Sequence, residues 1–157
     1  MQFSFPARRW TAAAILSAAL CAQAGAKTVG QARNEILVQT MPYLNIPYLW
    51  GGTQPKTGLD CSAFVQLVYH RAGLNLPRVA KDQFAATRYL KPNKVLPGDL
   101  VFFSMHKPGS REVDHVGIYL GKGLFIHASV TNGVHVESIV KPYYLSRLVS
   151  VRKFSGF

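Results

Sequence analysis

Two cysteines and five histidines hold much of the nucleophilic and proton-transferring capacity of this 157-residue sequence. Cys61 follows Asp60 at the head of a segment in which Phe64, Val65, Val68 and Ala72 recur with a helical period, and Gly73 supplies a stop. At a helix N-terminus a thiol meets unsatisfied backbone N–H groups and the positive end of the dipole, both of which favour the thiolate. Together with an imidazolium, such a setting lowers a thiol pKa from about 8.5 to roughly 3.5–7.5. The same N–H groups can receive the oxyanion formed when a carbonyl is attacked. A structural cysteine belongs more naturally mid-helix, on the apolar face with Phe64, Val65 and Val68. An inert buried thiol, an intermolecular disulfide and a nucleophile are the three readings of Cys61, and position favours the nucleophile.

A thiol nucleophile needs a base, and the base needs an orienting partner. His115 opens one strand-like run and His127 lies in the next, with Gly121-Lys122-Gly123 between them. A three-residue connection sets position 117 against 127 and puts both histidines on one sheet face, about 7–8 Å apart as diagonal neighbours. A two-residue loop would put them on opposite faces. Asp114 is a poor orienter for His115, because adjacent strand residues point opposite ways. His70 sits near a helix C-terminus, His106 in a loop, and His135 alternates with Val134 and Val136 on the solvent side. Zinc ligation by Cys61, His115 and His127 is a weak alternative, since no CxxC or HxxxH spacing occurs. Phosphate-binding glycine loops are absent, and basic residues do not interleave with aromatics as in nucleic-acid binders.

The elements that must position these groups follow from the pattern. Thr28 and Gln31 have capping-box spacing ahead of a helix that Pro42 should end near Met41. Residues 47–52 (Pro-Tyr-Leu-Trp-Gly-Gly) form an aromatic loop, and residues 78–87 read as a third, shorter helix. From Pro97 the period changes to two, giving strands over 99–103, 115–120, 124–129, 134–138 and 147–154. Helices followed by a strand meander predict an α+β domain with an antiparallel sheet of about five strands.

The N-terminus reads as an export signal. Arg8 and Arg9 precede an uncharged apolar run over 10–21, too short to span a bilayer, and then Ala-x-Ala sequences that allow cleavage after Ala24 or Ala26. Residues 1–24 are therefore expected to be removed, leaving a domain over 28–157, periplasmic or secreted, with no transmembrane segment. Leu20 before Cys21 argues against lipidation, and the surroundings of Arg8-Arg9 give no case for twin-arginine export. Cleavage after Ala24 removes two of 18 basic residues and none of seven acidic ones. The mature chain is thus strongly basic, which suits neighbours rich in carboxylate or phosphate, and Cys61 is its lone cysteine.

Six segments, read together, resemble the NlpC family of papain-like cell-wall cysteine peptidases. They are 47–52, Asp60-Cys61-Ser62-Ala63-Phe64-Val65, Leu76-Pro77-Arg78 with Asp82-Gln83, 97–103, 115–119 and 125–129. The resemblance covers nearly all of 28–154 and implies a papain-like fold, its N-terminal helices packed on the sheet that carries the histidines. It implies Cys61 as nucleophile, His115 as general base and acid, and His127 as the group orienting His115. Tyr48 would lie beside the thiol and assist substrate or oxyanion, while Asp60 and Ser62 would help form the acyl-side pocket. Packing alone could explain Tyr48, and N-capping alone could explain Asp60. Asp99 is expected to be structural; Arg78 is expected to make a structural hydrogen bond, with a substrate carboxylate as its alternative partner. Ala63 departs from the family's usual glycine, and its methyl group is expected to narrow the cleft.

The implied substrates are peptidoglycan stem peptides, cut at the D-γ-glutamyl–diaminopimelate bond or at a diaminopimelate cross-link, with no metal or other cofactor. The chain is expected to act as a monomer, placed on the wall by charge or by a separate wall-targeting or adaptor protein. Two alternatives differ in class: an inactive wall-binding or adaptor module, and an amidase or acyltransferase using the same three residues.

Overall fold

The computed structural model describes residues 27–156, so the export signal expected over 1–24 lies outside the described residues. Helix α1 (Val29–Thr40) begins at the capping box: Thr28 accepts from the Gln31 N–H, and the Gln31 side chain accepts from the Thr28 N–H. It ends where Pro42 enters a short 3-10 turn over Met41–Tyr43. Helix α2 (Cys61–Arg71) starts at Asp60, whose Oδ1 accepts the Ala63 N–H at 2.8 Å. It closes with Gly73 at φ 88°, whose N–H bonds to the His70 carbonyl while the Leu74 N–H bonds to that of Tyr69. Both ends of α2 are thus fixed by short-range chemistry.

Two small elements frame the loop ahead of α2. Strands β1 (Thr53–Gln54) and β2 (Gly58–Leu59) pair antiparallel, and Tyr48 bridges to Leu59, so the aromatic segment is tied to the residues leading into Cys61. Gly52 cannot carry a side chain there, because a Cβ would fall 2.4 Å from the Gly58 carbonyl oxygen. Helix α3 covers only Ala80–Ala85, shorter than the 78–87 expected. Arg78 is drawn out of it by its ion pair with Asp60, and Thr87 belongs instead to an edge strand.

The main sheet has six antiparallel strands rather than about five. These are β3 (Thr87–Tyr89), β4 (Leu100–Phe103), β5 (His115–Gly121), β6 (Leu124–Ser129), β7 (Gly133–Ser138) and β8 (Leu148–Phe154). Their order across the sheet is β3-β8-β4-β5-β6-β7. Every residue of β4 is buried because both faces of the sheet are covered. Leu100, Phe102, Val116, Ile118, Ile126 and Ala128 face Phe64, Val65 and Val68 of α2. Val101, Phe103 and Phe125 pack on the opposite side under Tyr144 of the short helix α4 (Pro142–Leu145).

A buried ion pair locks α1 to the turn that starts β4. Arg33 Nη2 lies 2.7 Å from Asp99 Oδ1, Arg33 Nη1 donates to the Pro97 carbonyl, and Asp99 Oδ2 accepts the Leu96 N–H. Asp99 is structural, as expected. Removing one partner of a buried pair strands the other charge, which typically costs about 3–5 kcal/mol. Asp99→Ala is therefore predicted to lower unfolding stability by roughly that amount, read from the urea midpoint at constant m-value.

Candidate active site

Cys61 is the first residue of α2 and is 7% exposed. Its sulfur accepts the Val116 backbone N–H, which places it against the first turn of chain after His115. Burial pushes the thiol up to about 11, opposed by N–H groups of Val116, Ser62 and Cys61 and reinforced by the Asp60 carboxylate. Burial thus opposes the thiolate that the helix head favours. Dehydration of the sulfur outweighs the N–H groups around it.

Alternation along β5 and β6 sends Val116, Ile118, Ile126 and Ala128 toward α2, and His115 and His127 toward the other face. Both histidines lie on one face, as read from the sequence, but by a different route. The turn is the two-residue Lys122-Gly123, with both φ angles positive and Gly121 paired to Leu124. A bulge between Tyr119 and Gly121 then shifts the register by one, restoring Ile118 against Ile126. This places Gly117 against His127, where a Cβ would come within 3.1 Å of the histidine's own Cβ. His115 Nε2 and His127 Nδ1 are 2.7 Å apart.

His127 has no exposed surface and is held from several sides. Phe125 and His135 stack against it at 4.7 and 4.8 Å, and the Tyr144 hydroxyl lies 3.3 Å from its Nε2. Burial pushes His127 down to about 2, with His115 and His135 adding to the effect. Burial likewise pushes His115 down to about 4, against the opposing carboxylates of Asp114 and Asp60. His135 is not on a solvent face: it pairs directly with His127 across β6 and β7 and is half-buried beneath the histidine layer. Asp114, as expected, serves elsewhere; it binds the Met105 and His106 N–H groups and the His106 ring, organising the loop between β4 and β5.

The sulfur and the His115 ring line one cavity of about 530 Å³, together with Ser129, Thr131, Tyr143 and Tyr144. Among the described residues no hydrogen bond joins sulfur and ring directly, a common condition of unliganded sites. A second cavity of about 440 Å³ also reaches Cys61 and is lined by Asp60, Ser62, Arg78 and Lys81. Tyr48 and Trp50 border both, and Trp50 stands 83% exposed. Tyr48 is pushed up to about 12 by burial and by the nearby Cys61 and Asp60, so it remains a neutral hydroxyl.

Asp60 anchors the second cavity. Arg78 grips both its carboxylate oxygens at 3.0 and 2.6 Å and also reaches the Ser62 hydroxyl. Burial opposes ionisation of Asp60, but bonds from Arg78, the Ala63 N–H and Ser62 win and hold it below the usual carboxylate range. Arg78 makes the structural bonds expected of it, and its side chain also lines this cavity. Ala63 does not narrow the cleft: it is buried in the core beneath α2 and lines neither cavity. Tyr144 escaped the sequence reading, and Gln83, part of the resemblance, was given no role there. Gln83 donates to the Ser62 and Pro77 carbonyls beneath the second cavity. No group of His, Cys, Asp and Glu among the described residues could hold a metal ion.

Helices packed on one side of an antiparallel six-stranded sheet, with a thiol at a helix head and a histidine pair lining one cleft, make a papain-like α+β fold. Residues 45–153 match the NlpC/P60 family, and the chain belongs to it. A gamma-DL-glutamyl hydrolase of Bacillus subtilis is 37% identical over 123 residues, covering 77% of this chain and 29% of that protein. Among solved structures, an NLP/P60 family protein of Staphylococcus aureus, described as similar to lipoprotein, superposes with a TM-score of 0.72. It is 34% identical and covers 84% of this chain and 44% of that one. The peptidoglycan hydrolase RipB of Mycobacterium tuberculosis gives 0.64 at 26% identity, covering 80% and 65%. This chain thus spans under half the length of the first two relatives.

Both histidines are buried uncharged, and unfolding frees them to protonate near an ordinary value of about 6.5. Below that pH the unfolded chain binds more protons than the folded one, so their contribution is complete above about 6.5 and is lost toward 4. The melting temperature is predicted to fall between pH 7 and pH 5, and to fall less steeply in His127→Gln, as scanning calorimetry across that range will show.

Proposed function

We propose that the protein is an exported cysteine endopeptidase that hydrolyses amide bonds in peptidoglycan stem peptides. The observation that carries this reading is the cleft itself: one buried thiol between two cavities, with a hydrogen-bonded histidine pair on one side. His115 takes the Cys61 proton as the sulfur attacks the carbonyl carbon. At the head of α2 the Ala63 N–H is committed to Asp60 and the Phe64 N–H to the Asp60 carbonyl. The Cys61 and Ser62 N–H groups instead surround the sulfur, where they can receive the oxyanion alongside the neutral Tyr48 hydroxyl. Collapse of the adduct expels an amine protonated by His115 and leaves a thioester, which water then hydrolyses.

Because His115 protonates the departing amine, the leaving-group peptide belongs in the cavity shared with Ser129 and Tyr143. The acyl portion then occupies the cavity with Asp60, Ser62, Arg78 and Lys81. A γ-linked D-glutamyl residue carries a free α-carboxylate, and the Lys81 ammonium on that wall complements it. The name of the Bacillus relative favours the γ-glutamyl bond over a cross-link. Export to the periplasm or beyond rests on the apolar N-terminal segment and its Ala-x-Ala sequences. An inactive wall-binding module is disfavoured by the intact cleft, because a binding role would not require a buried thiol bordering two emptied cavities.

Cys61→Ala is predicted to lower release of stem-peptide fragments from purified peptidoglycan by at least about 10³-fold without changing the melting temperature much. Mass spectrometry of the digest identifies the bond. Fragment release by Cys61→Ala at the parent rate would rule out the peptidase mechanism.

A further inference from the structure

Tyr144 hangs from α4 over the sheet face that carries both histidines and is 8% exposed. Its ring packs edge-on against Phe103, Phe125 and His127, and its hydroxyl oxygen sits 3.3 Å from His127 Nε2.

The position of one proton makes it matter. A base for Cys61 requires a lone pair on the His115 nitrogen not engaged with His127, which is Nδ1. His115 is neutral and holds a single ring proton, so Nδ1 is bare only if that proton sits on Nε2 and is donated to His127 Nδ1. His127, also neutral, must then keep its own proton on Nε2, and the Tyr144 oxygen is the acceptor within reach. With the reverse arrangement, Tyr144 donates to Nε2 and His127 donates from Nδ1. His115 would then carry its proton on Nδ1 and could not act as a base. The 3.3 Å separation is nearer the range of N–H donors than the shorter range of hydroxyl donors.

We propose that Tyr144 is a positioning residue: its hydroxyl oxygen accepts the His127 Nε2 proton and so keeps His115 Nδ1 free to deprotonate Cys61. The inference rests on the peptidase reading above. Burial, with Glu137 and Tyr143 nearby, pushes the Tyr144 hydroxyl up to about 12, so it remains uncharged through the neutral range. Groups facing the histidine pair from other elements are Asp60 at the head of α2, Asp114 before β5 and His135 on β7. None of them is hydrogen-bonded to His127 Nε2. When His115 becomes imidazolium it donates from Nε2 to His127 Nδ1, and the bond from His127 to Tyr144 makes that nitrogen a better acceptor.

The test is ¹⁵N NMR of the histidine rings in the full domain, parent against Tyr144→Phe, with kinetics on a stem-peptide substrate. The parent should show His127 protonated on Nε2 and bare at Nδ1. Tyr144→Phe should populate the Nδ1-protonated form and lower kcat by about tenfold with little change in KM. The ionisation of His115 should also move to lower pH, since its imidazolium loses support. A merely structural role would lower the melting temperature while leaving tautomer and pH profile unchanged. A parent His127 protonated on Nδ1 overturns the proposal, as does a folded Tyr144→Phe with unchanged tautomer and kcat. If Tyr144→Phe does not fold, the parent spectrum alone decides. Full activity in Cys61→Ala would instead refute the peptidase reading, whatever the tautomer.

Discussion

The proposed chemistry of Cys61 depends on the 2.7 Å hydrogen bond between His115 and His127. A lone thiol in this dry position resists ionisation, and a lone imidazole resists protonation, for the same reason: each would become a buried charge without a partner. In the proposed mechanism, moving one proton from sulfur to ring creates both charges together, and their attraction offsets much of the cost of each. That exchange needs an imidazole with its free nitrogen toward the sulfur and its second nitrogen already engaged. The rest of the architecture can be read as the means of holding the ring that way.

Each means is local and physical. The bulge after Tyr119 brings the two histidines to one face, and Gly117 clears room for the His127 side chain. Phe125 and His135 clamp the His127 ring, while Asp60 caps α2 and ties Arg78 and Ser62 to the same carboxylate. A sheet covered on both faces gives these groups a rigid support: α2 and its apolar residues on one side, α4 with Phe103 and Phe125 on the other. Cys61 and His115 line one cavity at the start of β5, where the Val116 N–H reaches the sulfur.

Much of this was legible from residue types and spacing. The capping box at Thr28, the Asp60 cap, the Gly73 stop and five of the six sheet strands follow from short-range preferences that the fold had no reason to override. What was missed depended on tertiary contacts. Residues 87–89 are a strand only because β8 offers an edge, and Arg78 leaves helix α3 because Asp60 binds it. The histidine register was right in outcome, yet a two-residue turn plus a bulge achieved it, and no local signal reports a bulge. Tyr144 sits on a four-residue helix whose only marks are Pro142 and a tyrosine pair. His135 alternates as expected, but the face it occupies is roofed by α4 and is therefore not a solvent face.

The most direct check is the rate at which iodoacetamide alkylates Cys61 at neutral pH in the parent domain and in folded His115→Ala, followed at the Cys61 peptide by mass spectrometry. If the ring accepts the thiol proton, the rate should drop at least about tenfold when the ring is removed. Equal rates in the two proteins would mean that the sulfur owes nothing to the imidazole, and the proton exchange described here would be wrong.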